Sequence, residues 1–523
     1  MIILTPLLLL LPTSLAKVPQ NPFFEKDVFA GNMLEIPIVE YPSIPGLDAL
    51  READHATVAM NDNRDILVAF HTSRPDITLA GNMKQVEFAY FEYRVGANGD
   101  EWEHLSTEVV GGVDKDPLFY GIPTDSGVKC ERPDAIAVGN RFCVVWTRRY
   151  DQSVSGDVNQ PAVLECAWIE KDDITGAINV YDDPLGSQGQ GFILDFHDRV
   201  SGTNDFWVKE CAGVPDAVVL NGNADPTIAV VYPHQKNFSN PSIGDLDRKF
   251  ELRVVTCSID SNNVITGNPA TPLISTIPFN GPDASAGLIL PDVAPSPVDN
   301  AFWLVAESQV EKLDGSGVLQ VDGSVRLDFW RNTSGTWTSV AGRTFQTAPG
   351  DPFVIRRRPL IASYPVGNPK QGVSLAFNEV NINPLPGADD SKNVIYKHWV
   401  YDNGSIVLPP SQVSYPNKTN IDAGKPAPLR GRDAPYIRRC YADESPIVGA
   451  PPDRIRAYDD LNPGPPALTV DSIPIGGTGT VGRPASSYLL HDDGLGNLTD
   501  YLTVTWEKRP TSNDLLRIWI GVE

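Results

Sequence analysis

Three Arg-Pro dipeptides stand at matching places in this chain: Arg132-Pro133, Arg358-Pro359 and Arg483-Pro484. A guanidinium is a planar fork of donors that fits the oxygens of a carboxylate or a sulfate. Each dipeptide opens an apolar run, and a second apolar run follows it. The ends of the second runs supply His71, Arg74, Arg148, Arg149, His234, Glu307, Glu379 and Glu507, while other openings supply Asp54, His55, Asp134, Asp216 and Asp292. A pair of carboxyl groups can act as acid, base or nucleophile across a glycosidic bond. Glu307, Glu379 and Glu507, with His55 and His71, are therefore the candidates for catalysis. Arg132, Arg358, Arg483, Arg74 and Arg148 are the candidates for holding a ligand. The competing expectation is structural, each Arg pairing with an acid of the next unit to tie the units together.

Residues so far apart in sequence meet only if the chain repeats. It does: His55-Ala-Thr-Val-Ala-Met60 precedes Ile66-Leu-Val-Ala-Phe-His71, Pro133-Asp-Ala-Ile-Ala-Val138 precedes Phe142-Cys-Val-Val-Trp-Thr147, and Pro215-Asp-Ala-Val-Val-Leu220 precedes Thr227-Ile-Ala-Val-Val-Tyr232. Looser copies open at Pro291, Arg358 and Arg483, most openings lying roughly 70–80 residues apart. A third run with a period of two follows each pair, as in Val325-Arg-Leu-Asp-Phe-Trp330, and then a turn and a weaker fourth run. Repeated four-stranded antiparallel units that cannot cover their own faces describe an all-β fold of the β-propeller type. About six blades are expected, with about seven as the alternative. The last unit stops after its third strand, Leu515 to Val522, so Met33-Leu-Glu-Ile-Pro-Ile-Val39 is expected to supply its fourth and close the ring. In such a blade the first strand starts on the face where the second finishes, which brings the residues named above to one central funnel.

The ends and the composition set limits. Residues 1–16 read as a secretory signal peptide, leaving 17–523 as one propeller domain in a secreted, extracellular or periplasmic protein. Residues 411–480 are rich in Pro, Gly and Asp and are expected as an insertion over one face; a blade containing Tyr436-Ile-Arg-Arg-Cys440 is the alternative. A net charge of -24 argues against a nucleic-acid partner, and no later stretch is apolar enough to span a membrane. The 6 cysteines fit disulfides, with Cys130–Cys211 and Cys143–Cys166 as candidate pairs and buried thiols as the alternative. Sequons at Asn237, Asn332, Asn403, Asn417 and Asn497 make glycosylation an option in a suitable host. No cofactor motif is present. Asp492, Asp493 and Asp500 flank glycines and offer oxygen ligands that could hold calcium, but the spacing is not that of an EF-hand loop and an ordinary solvated turn is the leading expectation.

By the Arg-Pro openings on different units, the chain resembles the sialidase-like secreted β-propellers. The resemblance implies that Arg132, Arg358 and Arg483 together hold a substrate carboxylate. Propellers of this kind carry Ser-x-Asp-x-Gly-x-x-Trp boxes between their last two strands. Asn332-Thr-Ser-Gly-Thr-Trp337 and Gly99-Asp-Glu-Trp102 are the partial counterparts here, neither with the aspartate-led pattern intact. No residue is assigned to the family's nucleophilic Tyr and its Glu partner. The expected function is binding of a glycan or an extracellular protein at the funnel face. The alternative is a carbohydrate-active enzyme, a sialidase-like glycoside hydrolase or a polysaccharide lyase.

Overall fold

The computed structural model describes residues 33–38, 52–75, 82–96, 99–111, 127–151, 162–182, 191–197, 210–212, 214–237, 248–273, 287–296, 298–313, 319–345, 354–363, 372–381, 391–402, 405–407, 412–415, 427–429, 436–443, 454–459, 468–472, 479–495 and 498–522. Residues 1–16, expected as a leader, lie outside the described residues. No α-helix occurs among the described residues, and so none is long and apolar enough to cross a membrane.

The chain is all-β, laid out as sequential antiparallel blades. The first blade is Ala53–Met60, Ile66–Pro75, Asn82–Gly96 and Gly99–Gly111; the second is Gly127–Val138, Arg141–Asp151, Ala162–Lys171 and Ile178–Tyr181. A single parallel pairing, Lys84 with Lys129, joins these two at one corner. The third has its inner strand in two pieces, Glu210–Ala212 and Asp216–Val219, followed by Thr227–Asn237 and Arg248–Ile259. Gly287–Pro295, Ala301–Leu313, Leu319–Thr333 and Thr336–Phe345 make the fourth, and Val354–Ser363, Gly372–Asn381 and Ser391–Asp402 lead the fifth. The closing blade is Thr480–Asp492, Leu498–Arg509 and Arg517–Val522, with Leu34–Glu35 as its outer strand. Leu34 pairs with Ile520 and Glu35 with Trp519, and the Ile36 N–H donates to the Ile518 carbonyl at 2.9 Å. The N-terminal segment therefore closes the ring as expected and covers an edge that would otherwise present unpaired backbone groups.

Strand composition dictates the stacking. Successive side chains point to opposite faces, so a strand apolar at every position must be covered on both. In Ile66–Pro75, Ile66, Val68 and Phe70 enter a core shared with the closing blade, while Leu67 and Ala69 enter one shared with the second. Ile228, Val230 and Tyr232 likewise face the second blade, and Ala229 and Val231 the fourth. Each such fully buried Val, Leu, Ile or Phe contributes about 1.5–3 kcal/mol, and each alanine less.

The region expected as an insertion contains strands, and one other expectation is corrected. Within 411–480 a further sheet forms from Ala427–Leu429, Tyr436–Asp443, Arg454–Asp459 and Leu468–Ser472, in sequence order like a blade and packed beside Thr480–Asp492. Its buried Asp471 accepts the indole N–H of Trp506 at 2.8 Å and pairs with Lys508 at 2.8 Å. The disulfide expectation is corrected: Cys130, Cys143, Cys166 and Cys257 are free buried thiols. Cys143 pairs with Trp168 and Cys166 with Val145, so the two are diagonal across the ladder and not opposite each other. Across that diagonal the two thiols are in hydrogen-bond contact and are not bonded to each other. The side chain of Cys211 lies outside the described residues.

Candidate functional site

The inner strands surround a cavity of about 270 Å³ lined from Thr57, Asp134, Ala217, Val293, Ile361 and Ala485 onward by small and aliphatic side chains. Just before those residues the inner strands slip register at one repeated point. The slips hold His55-Ala56, Arg132-Pro133, Leu290-Pro291, Arg358-Pro359 and Arg483-Pro484. In the third blade, Val214-Pro215 fills the break between its two inner pieces. Proline has no N–H to give a ladder, so a strand carrying it bulges there. His55, Arg132 and Leu290 adopt left-handed backbone, with φ of 52°, 56° and 49°. That conformation is uncommon for residues with a Cβ, and its repetition marks the bulge as part of the blade design. The bulges thus form a collar at one end of the cavity.

Two layers of acceptors hold the collar. In the lower layer each of the first four blades captures a backbone N–H of the next. Asp134 Oδ2 accepts Ala217 N at 2.8 Å, Asp216 Oδ2 accepts Val293 N, and Asp292 Oδ2 accepts Ile361 N at 2.5 Å. Thr57 fills this position in the first blade, accepting Ala135 N at 3.4 Å and donating to Asp134 at 3.1 Å. In the upper layer the residue opposite the start of the bulge holds the bulge residue of the following blade. Glu507 accepts the N–H of His55 at 2.7 Å, and His71 Nδ1 accepts the N–H of Arg132 at 3.3 Å. His71, Thr147, Glu307, Asn378 and Glu507 share this register position. The anticipated ties between blades therefore exist, but carboxylates and an imidazole make them with backbone amides.

The predicted residues can now be placed. His71 and Glu507 are buried in this upper layer, and Glu307 is buried at the equivalent position. Arg148 is buried, with its guanidinium 2.8 Å from Glu165, which also accepts the Trp146 indole N–H at 2.9 Å. Arg132 lies half-buried on the collar, and among the described residues its guanidinium has no hydrogen-bond or ion-pair partner. Arg358 and Arg483 occupy the same bulge position by register, but their side chains, like those of Arg74, Glu379 and Asp500, lie outside the described residues. Asp492 and Asp493 are exposed and accept the N–H groups of Gly494 at 2.9 Å and Leu495 at 2.8 Å, as in ordinary Asx turns. In the partial box of the fourth blade, Asn332 accepts Gly335 N at 2.8 Å and Trp337 packs on Phe302 at 5.0 Å between centroids. In the first blade, Asp100 accepts the hydroxyls of Tyr93 and Tyr501, each at 2.6 Å, and so helps fasten the closing seam.

Around Arg132 the charged neighbours converge. Asp54 Oδ1 lies against His71 Nε2 and 3.4 Å from His55 Nδ1, and the two imidazoles stack at 4.7 Å. Lys84 Nζ stands 3.2 Å from His71 Nε2 and 3.5 Å from Glu131. Neither Lys84 nor Glu131 carried a signal in the sequence, since both lie outside the repeated runs. Burial raises the Asp54 pKa, but hydrogen bonds and charge from His55 and His71 outweigh it and hold the carboxyl far below the usual range. Burial pushes His71 below the ordinary imidazole value, with Lys84 and His55 adding to that and Asp54 opposing it. A backbone N–H can only donate, so His71 is the neutral tautomer, bare at Nδ1 and protonated at Nε2 toward Asp54.

Asp54, His55 and His71 place three ligand atoms within 4.8 Å of one another, a donor set of the kind that suits zinc. Proton placement argues against a metal. Coordination through His71 Nε2 would move the ring proton to Nδ1, where the Arg132 N–H already points, and the Lys84 ammonium stands beside the same nitrogen.

No protein-family model and no curated protein sequence matches this chain. Solved structures of similar shape include a protein of unknown function from Dyadobacter fermentans, at 11% identity and TM-score 0.40, over 91% of this chain and 95% of that one. Trypanosoma rangeli sialidase bound to the inhibitor DANA aligns at 11% identity and TM-score 0.36, over 90% of this chain and 55% of the sialidase. A Fusarium graminearum GH93 α-L-arabinofuranosidase with arabinobiose aligns at 10% identity and TM-score 0.37, over 78% and 92%. The assignment of this chain to the β-propellers rests on its own strand order, repeated register slip and ring closure.

Proposed function

We propose that this propeller binds an acidic glycan, one bearing carboxylate or sulfate groups, at the collar of its central cavity. The observation that carries the reading is Arg132: half-buried, held by its own backbone on a bulge, and with a guanidinium that no described residue engages. Two more arginines take the same bulge position in other blades. Planar forks spaced around a ring suit several anionic groups along one oligosaccharide. Two acidic side chains at the collar are already used: Glu507 holds the next blade's backbone, and Asp54 is engaged by two imidazoles. That favours binding over catalysis.

The test is calorimetric titration with oligogalacturonate and with a neutral hexose oligomer of equal length. The acidic oligomer should bind and the neutral one should not. Arg132→Ala should weaken binding about 10- to 100-fold, the equivalent of a charge-assisted hydrogen bond of ~1.5–3 kcal/mol. Equal affinity for both oligomers, or an indifferent Arg132→Ala, removes the reading. Release of new reducing ends would replace it with a hydrolase or lyase.

A further inference from the structure

We infer that His71 is the positioning residue for Arg132 and makes the collar's hold on an anionic ligand fail in acid; the ligand half of this rests on the binding reading above. The Arg132 bulge is left-handed, at φ 56°, a conformation that a side chain with a Cβ keeps only when its surroundings hold it. A hold from the first blade is the 3.3 Å bond from the Arg132 N–H to His71 Nδ1. His71 is itself fixed, fully buried and stacked on His55 with its other nitrogen against Asp54.

Protonation would occur at Nδ1, because Nε2 already carries the ring proton. Nδ1–H would then face Arg132 N–H, two donors with no acceptor between them, and the bond that fixes the bulge would be lost. The groups around the ring set when this happens. Asp54 and His55 come from its own blade's inner strand, Lys84 from the third strand, and Glu131 and Arg132 from the second blade. Of these, Asp54 favours the charged ring, while Lys84 and His55 oppose it. Asp54 stays ionised throughout, since its carboxyl titrates far below the histidine range. The switch is therefore the imidazole alone. The equivalent tie at His55 runs to a Glu507 oxygen and involves no imidazole nitrogen.

Amide hydrogen exchange of the full chain, read at Arg132 by mass spectrometry with residue-level fragmentation, tests the positioning without any ligand. Protection of the Arg132 amide in the native protein should fall about tenfold between pH 8 and pH 5, corrected for the intrinsic rate. In His71→Asn the side-chain oxygen can accept the same N–H and does not titrate, so protection should persist at both pH values. In His71→Leu it should be absent at both. The His55 amide serves as the internal control and should keep its protection. Native protection indifferent to pH, or an Asn variant that behaves like Leu while melting at the native temperature, overturns the positioning role. Oligogalacturonate titration separates the second half. Affinity should fall about tenfold from pH 8 to pH 5 in the native protein and stay level in His71→Asn. Exchange that follows His71 while affinity does not would sever Arg132 from the ligand, overturning the binding reading and leaving the His71–Arg132 bond in place.

Discussion

Asp216→Ala tests whether carboxylates hold the blades in a ring. Asp216 is 8% exposed and its acceptor oxygen takes the N–H of Val293, a residue 1% exposed on the next blade. Alanine removes a charge-assisted hydrogen bond and leaves that amide buried without it, a cost of about 2–4 kcal/mol. Asp216→Asn keeps an acceptor oxygen and loses only the charge, so it should cost about half as much. The structure also ranks the positions. Asp134 serves both Ala217 N–H and the Thr57 hydroxyl, so Asp134→Ala should exceed Asp216→Ala. Thr57→Val loses a 3.4 Å bond from Ala135 N–H and a 3.1 Å bond to Asp134, both longer than the 2.8 Å bond of Asp134 to Ala217 N–H, so it should cost about 1–2 kcal/mol, less than Asp134→Ala. Equilibrium urea unfolding measures the series, with an unchanged slope showing that stability and not compactness has moved. An Asp216→Ala protein within about 0.5 kcal/mol of native, or an Asn variant as damaging as Ala, would refute the argument that these carboxylates act through backbone amides.

Ile36, 1% exposed beneath the closing strand, should cost ~2–5 kcal/mol when replaced by alanine, with faster amide exchange along Arg517–Val522 as the local signature. Burial pushes the thiols of Cys143 and Cys166 up, and contact with Cys166 together with burial does the same for Cys257. Native protein at pH 8 should therefore resist iodoacetamide at all three, and unfolding without reductant should expose them; a disulfide-linked peptide containing any of them would contradict the structure. His71 has a folded pKa below its unfolded value near 6.5, so the unfolded chain binds more protons there and stability should fall as pH drops below about 6.5. Asp54 has a depressed pKa, so its contribution is present above about 4 and should be lost only in stronger acid. Urea midpoints from pH 8 to pH 3 should fall in two stages, and His71→Asn should remove the first.

The parts of the fold readable from sequence were those that recur with a fixed period. Ile66-Leu-Val-Ala-Phe is apolar at every position, which demands cover on both faces and hence stacked sheets. A last unit ending at Val522 on its third strand pointed to Met33–Val39 for the fourth, and Leu34 and Glu35 do pair there. The sheet within 427–472 was harder to read, because its strands are interrupted by Pro and Gly and two of them are short. Cysteine pairing was unreadable in principle, since it turns on whether two residues face each other or sit one step along the diagonal. The collar was legible only as a list of residues. Which of His71, Glu307 and Glu507 share a position depends on where each ladder slips, and an Arg-Pro dipeptide interrupts its strand without saying which partner faces it.

Repetition also separates scaffold from site. A ligand occupies one place around the ring, so the residues that read it need not be the same in every blade, whereas a joint between blades recurs at each junction. Asp134, Asp216 and Asp292 recur with the repeat, each after a proline, and each holds the next blade's amide. Their regularity was a signal of structural use that an acid-hunting reading of the openings passed over. The residue just before each of those prolines, or before Ala56 in the first blade, behaves oppositely: its backbone bulge recurs, but its identity runs His55, Arg132, Val214, Leu290, Arg358, Arg483. A constant backbone bearing a variable side chain is what a recognition surface built on a symmetric scaffold requires. The arginines are significant because they break the symmetry of the position that holds them, and the buried carboxylates are structural because they keep it.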